Sequence, residues 1–353
     1  MKTQKIAGIV ADEYTFPEGC YQVVKIAHEI TRCDVLVAII PGAFSTSGEP
    51  INVDKWQRTT NMLDSGADLV IELPFGVALQ GINRSIQAAI ELLSLAQATT
   101  IVVLSETNNL AELKQIADLP IKVDALKLRM DACDTYPSSY GLVAGAYYPH
   151  DIAAIAAIRA MRIKDIEPLV YPSIECTGSG LTDTSNFVDW SSYYPFLRWK
   201  IQTLDHVSLS EVFLYDEGIE HHFAKYIGSC DTWDAFLKEC ITRRYTKQRI
   251  QRVCTQLMVH TQKAEIDRIK PLNTLRILGF NDVGRAYLKV LKAKKVKIAS
   301  RFNQIPQTLR ELEYRATMAY VTPLPIDRRN AILRGEMGGP VIKKTEVSAE
   351  KCT

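Results

Sequence analysis

No stretch of this sequence stays apolar for the roughly 18 residues that a membrane-crossing helix needs, so no membrane span is expected. None of its 8 cysteines forms a CxxC pair, which removes the usual dithiol and zinc-ribbon spacings. They read as reduced thiols, mostly small core residues. Glu220, His221 and His222 adjoin but have no standard metal-ligand spacing, and no metal is expected. The apolar run Ile6–Ala11 stops at Asp12 and Glu13, too short and too acidic for a signal peptide. The cytoplasm is the expected compartment. There is no internal repeat and no low-complexity run.

What is present is an ordinary globular composition, 47% hydrophobic and 23% charged over 353 residues. That excludes a disordered, collagenous or coiled-coil protein and allows one large or two ordinary domains. The net charge of +2 hides an asymmetry. Up to residue 185 there are 14 Lys and Arg against 22 Asp and Glu, a balance of −8. From residue 186 the counts are 28 and 18, a balance of +10. A basic half suggests a polyanionic partner, with nucleic acid first. The plainer reading is that two oppositely charged halves dock on each other.

The first half alternates short apolar runs with amphipathic stretches. Ile6–Ala11, Val35–Ile40, Leu69–Leu73 and Ile101–Leu104 read as strands. Tyr21–Thr31, Val53–Leu63, Arg84–Ala96, Leu110–Ala117 and His150–Met161 read as helices. This alternation predicts an α/β, Rossmann-like, doubly wound parallel sheet over residues 1–185, with ligands at the carboxyl ends of its strands. The polar stretch 171–192 reads as a linker. From about 193 the chain reads as helical, giving a mainly helical domain over 186–335 and a flexible tail over 336–353. Ile250, Val253, Cys254, Leu257 and Met258 fall at helical spacing, with Arg249 and Arg252 on the other face.

Several segments together carry a resemblance to a known family. They are GEPINVDKWQRTTNMLDSGADLVIELPF (48–75), YYPFLRWKI (193–201), RRYTKQRIQR (243–252), RILGFNDVGRAYLK (276–289) and EYRAT (313–317). In order and spacing they are similar to the bacterial tRNA(Met) cytidine acetate ligase family, from residue 6 to about 320. The resemblance implies a nucleotidyltransferase fold joined to a helical RNA-binding domain. It also implies the use of ATP to make acetyl-adenylate, and acetylation of N4 of the wobble cytidine of elongator tRNA(Met).

The departures bear on the chemistry. The family's loop after the first strand has the form E-Y-N-P-F-H-x-G-H, with both histidines against the ATP phosphates. Residues 12–20 keep Phe16 and Gly19, but Pro17 and Cys20 replace the histidines. Pro17 has no N–H to donate and Cys20 only a weak donor. Loss of one preorganised donor typically raises a barrier by about 2.7–4 kcal/mol. The family's G-S-E reads Leu104, Ser105, Glu106, so a leucine stands where a glycine admits the nucleotide. N-D-I-L reads His150, Asp151, Ile152, Ala153; a basic K-R pair falls at Pro172 and Ser173; and SGLTDTSNF (179–187) stands in place of a later S-S-x-T-A-I-R signature.

The resemblance leaves Phe16, Gly19, Ser105, Lys55 and Arg58 as remnants of an ATP site. Lys55 and Arg58 open a helix beside the ligand end of the sheet, and are read either as anion ligands or as a solvated face. Cys20, just before a helix, is read either as a reactive thiol or as a packed residue. Glu72 reads as structural. Arg243, Arg244, Lys247, Arg249, Arg252, Arg276 and Arg285 match the family's tRNA-facing module and are the candidate RNA ligands. The leading expectation is a tRNA-binding homologue with no DNA partner, impaired or inactive in adenylation, with ATP and Mg as cofactors only if the family activity survives. The rivals are a working ligase and a scaffold that binds no RNA.

Overall fold

The structure is a computed structural model that describes residues 4–12, 17–120, 148–172 and 188–344. Phe16, Ser173 and the segment 179–187 lie outside the described residues, as does any boundary at 185. Five parallel strands form the centre: β1 (Ile6–Val10), β2 (Val35–Pro41), β3 (Leu69–Leu73), β4 (Thr100–Ser105) and β5 (Glu167–Pro172), in the order β5-β4-β1-β2-β3. All seven residues of β2 are buried, as expected of a parallel strand covered on both faces. The helices between them are α1 (Pro17–Thr31), α2 (Lys55–Asp64), α3 (Phe75–Ala78), α4 (Ile82–Leu95), α5 (Leu110–Asp118) and α6 (Pro149–Ile163).

Local chemistry fixes these elements. The Asp54 carboxylate accepts the N–H groups of Trp56 and Gln57 and so caps α2. Gly66, at φ +106°, follows its last turn, as the sequence predicts. Helix α1 starts four residues before the predicted Tyr21, because Pro17 suits a first helical turn.

The second half opens with α7 (Trp190–Thr203), α8 (His206–Ser210), α9 (Ile219–Tyr226), α10 (Trp233–Cys240), α11 (Lys247–Val259) and α12 (Lys263–Asp267). Their core is aromatic: Trp190 stacks on Trp233 at 4.8 Å, and Tyr194 meets Phe236 at 5.5 Å. Ile250, Val253, Cys254 and Leu257 of α11 are fully buried, as their spacing predicts.

The second half is mainly helical, as expected, and among its described residues also carries three strands. β6 (Thr274–Phe280) runs antiparallel beside β3, with Leu69 opposite Phe280. α13 (Asp282–Ala293), β7 (Lys297–Ala299), α14 (Gln307–Val321), α15 (Ile326–Met337) and β8 (Val341–Ile342) follow. β7 and β8 both pair with β6, so the second half completes the sheet begun by the first. The division expected at 185 is therefore not a division of the sheet. The expected tail at 336–353 also begins too early, since Glu336 is fully buried and Val341 pairs with Gly279.

Candidate functional site at the strand ends

In the order β5-β4-β1-β2-β3 the chain reverses direction of winding between β4 and β1. Ligands bind at such a switch point, outside the carboxyl ends of the strands. A cavity of about 240 Å³ lies there, lined by Val10 of β1, Val102, Val103 and Leu104 of β4, and faces of α4 and α6. Leu104 is one of its walls.

Polar groups at the rim are held by one another. Ser105 Oγ donates to Asp151 Oδ1 at 2.5 Å and accepts the N–H of Asn108 at 2.8 Å. Thr107 Oγ1 also donates to Asp151. The Glu106 carboxylate accepts the N–H groups of His150 at 3.2 Å and Asp151 at 3.0 Å, which caps α6. Opposite, Asp12 accepts the backbone N–H of Thr46 at 3.2 Å and its hydroxyl at 2.5 Å. Burial pushes the Asp12 carboxyl above its ordinary range, and the Thr46 hydrogen bonds pull against that.

The other expected site residues are distributed differently. Gly19 and Cys20 are buried; Cys20 is 0% exposed, packed among Val23, Val24 and Ile9. Pro17 opens α1. Lys55 and Arg58 are neither anion ligands on an open surface nor a solvated face. Lys55 Nζ lies 2.6 Å from Glu72, 2.6 Å from Glu336 and 3.4 Å from Glu313, all of them buried. Burial opposes its charge, but Glu336, Glu72 and Glu313 outweigh that and hold its pKa above that of an ordinary lysine. Arg58, 0% exposed, donates to the carbonyl oxygens of Val53 at 3.0 Å, Pro41 at 2.8 Å and Gly42.

Arg276 belongs to the same knot and is a correction among the RNA candidates. It is 4% exposed, its Nε 3.9 Å from Glu72, and it donates to the Glu336 carbonyl at 3.3 Å. Glu72 lies inside the knot, between Lys55 and Arg276. Glu313 and Glu336 were missed by sequence reasoning. Glu313 stands in a quoted motif word, EYRAT, and a buried lysine's need for carboxylates is the signal that would have found it. Gly42 makes room for it: a Cβ there would stand 2.5 Å from Glu313 Oε1.

The basic residues of 243–252 gather around the start of α11. Arg243 and Arg244 are exposed. Arg249 pairs with Glu217 at 2.8 Å and lies over the Tyr245 ring at 5.4 Å. Lys247 is 3.1 Å from Glu49. Arg252 is half-buried, and burial followed by Arg249 pushes its pKa down to about 10. Arg285 is exposed on α13, 3.7 Å from Asp282.

Helix α11 is fastened to the loop that lines the cavity. Thr255 Oγ1 donates to the Gly48 carbonyl at 2.7 Å, and Gln251 Nε2 donates to Glu49 at 2.6 Å. Gly48, at φ +86°, lies so close that a Cβ would stand 2.5 Å from Arg252 N. Thr46, two residues away, faces the cavity with Asp12. No described helix is long and apolar enough to cross a membrane.

Comparison with known proteins places this geometry. The sequence profile described as HIGH Nucleotidyl Transferase matches residues 4–147 and 150–331. A tRNA(Met) cytidine acetate ligase of Geobacillus sp. (strain WCH70) is 25% identical over 402 residues, covering 95% of this chain and 99% of that protein. The tRNA(Met) cytidine acetate ligase of Bacillus subtilis (strain 168) is 24% identical over 406 residues, covering 97% and 98%. The crystal structure of Thermotoga maritima TmcAL bound with alpha-thio ATP shares the fold, with a TM-score of 0.82 at 19% identity, covering 97% of this chain and 100% of that one.

Proposed function

Because the chain belongs to the HIGH nucleotidyl transferase family, we propose that it is a cytoplasmic tRNA-binding homologue of the tRNA(Met) cytidine acetate ligases whose ATP site has lost its adenylation chemistry. The observation that carries this reading is the anchoring of α11 on the loop 45–49. It stands a cluster of basic side chains beside the cavity at the switch point, where a bound RNA reaches the ligand end of the sheet. Arg243, Arg244, Lys247, Arg249 and Arg252 then contact phosphates, and contacts of that kind position a nucleic acid without reading its sequence.

The loss of adenylation is supported by three replacements and by the burial of two basic residues. Pro17 and Cys20 supply no strong donor to a phosphate. Leu104 lines the cavity, and Lys55 and Arg58 are engaged with buried partners. The rim groups Ser105, Glu106 and Asp151 remain, but they are bonded to one another.

The deciding experiment measures tRNA binding across a salt series and titrates ATP with Mg on the same protein by calorimetry. Salt-sensitive tRNA binding without ATP binding supports the proposal. Micromolar ATP binding with turnover establishes a working ligase instead, and absence of tRNA binding at low ionic strength leaves a scaffold.

A further inference from the structure

The cavity has a polarity of its own. Its lining holds Asp12, Thr46, Ser85 and His150, which follow strand ends or sit in first helical turns, and Val102, Ile90 and Ala157, which sit in mid-strand or in later turns. Topology dictates this arrangement. Helices α4 and α6 each follow the carboxyl end of a parallel strand and run back along the sheet, so their first turns face outward and their later turns face inward. Among the described residues, no lysine or arginine lines the space. Lys55 and Arg58, the basic residues expected at this end of the sheet, are turned into the knot around Glu72 and onto the Pro41 and Gly42 carbonyls.

An anion drawn into this space would meet the Asp12 carboxyl group and, among the described residues, no lysine or arginine side chain, so that shedding its water costs several kcal/mol. A hydrocarbon body meets the opposite situation. Aliphatic walls favour it by about 25 cal/mol per Å² removed from water. An apolar cavity of about 150 Å³ suffices for benzene, and this one measures about 240 Å³. A hydroxyl or amide head left at the strand ends finds acceptors and donors in Asp12, Thr46 and His150.

We propose that the cavity is a binding site for a small uncharged amphiphile, its aliphatic or aromatic body against Val102, Ile90 and Ala157 and its polar head beside Asp12 and Thr46. The inference rests on the degenerate-site reading and deepens it, by naming what the space admits in place of a triphosphate.

The test uses the full chain and three probes: hexan-1-ol, sodium hexanoate and ATP with Mg, followed by ligand-observed NMR and calorimetry. Hexan-1-ol binds saturably, and hexanoate binds at least about tenfold more weakly. Ala153→Leu, at a half-buried wall position, weakens hexan-1-ol by about tenfold while circular dichroism reports an unchanged fold. Leu104→Gly, which opens the wall, shifts the preference toward the longer octan-1-ol, added as a fourth probe for this variant, and gives a second readout should the first variant misfold. Equal or tighter binding of hexanoate, or alcohol binding indifferent to both substitutions, overturns the proposal. Absence of binding by all three probes overturns it too, yet leaves the degenerate-site reading standing. Displacement of hexan-1-ol by micromolar ATP overturns both.

Discussion

Thr255, in the middle of the basic helix, donates its hydroxyl to the carbonyl oxygen of Gly48 across 2.7 Å and 207 residues of chain. The bond is fully buried and joins the two oppositely charged parts of the molecule. Thr255→Val keeps the shape and leaves the Gly48 carbonyl without this donor. Stability should fall by about 1–3 kcal/mol, read as a lower midpoint in urea with an unchanged slope. An unchanged midpoint would show that the loop is held by Gln251 and Lys247 alone.

Binding of tRNA should weaken steeply with salt, since phosphate contacts release counterions. Each contact removed should flatten the slope of log K against log salt by roughly 0.7–0.9. Arg249→Gln with Arg252→Gln should weaken binding of any tRNA about equally, while Lys114→Gln in the acidic half should do little. If the basic residues serve only to dock the two halves, the double variant lowers the melting temperature and leaves tRNA binding as it was.

ATP should bind at millimolar level or not at all, and no acetyl-adenylate should form in a pyrophosphate-exchange assay. Pro17→His with Cys20→His should not restore it, for Leu104 still walls the cavity. Cys20 is also sealed in the core, so a histidine there must overpack its neighbours. For the same reason the Cys20 thiol should resist alkylation in the folded protein. Its selective modification at neutral pH, with loss of tRNA binding, would overturn the packed reading.

Stability should depend on pH through Glu313. Burial, then the charge of Glu72, pushes its carboxyl up to about 8. In the unfolded chain a glutamate titrates near 4.3, so the folded state holds the proton more tightly. The stability this contributes is present in full below the unfolded value and is lost as pH rises toward 8, by at most about 1.4 kcal/mol per unit. Glu313→Gln keeps an oxygen for the N–H of Phe75 and has no proton to lose. Urea midpoints between pH 6 and pH 8 should fall for the wild type and stay nearly level for the variant. Parallel falls in the two proteins would assign the effect to other groups.

Much of the fold was legible because it is local. β1 to β4 announce themselves as short apolar runs, and Gly66 announces the end of α2. Strand β6 was not legible, because the words around Arg276 sit in a basic, helical context and the partner strand β3 lies some 200 residues back. Lys55 misled for a related reason. A lysine at the first turn of a helix reads as surface, and nothing nearby in sequence reveals that a carboxylate 258 residues away will reach it. The motif words that carried the family resemblance contain Lys55, Arg58, Glu72, Arg276 and Glu313. Their common physical role in this chain is to build the buried charge knot and its flank, not to face the cavity.

That knot sets an order on the birth of the protein. Chains leave the ribosome at about 5–20 residues per second, and Glu313 lies 258 residues behind Lys55. For roughly 13–50 seconds, then, the nascent β2–β3 unit carries a lysine with Glu72 alone to answer it, and for most of that interval an outer edge of β3 that β6 has yet to cover. An uncovered apolar strand edge recruits other chains. A ribosome stalled before residue 274 should therefore display a sheet edge that chaperones bind, and release of that fragment should yield aggregate where the full chain yields a monodisperse protein.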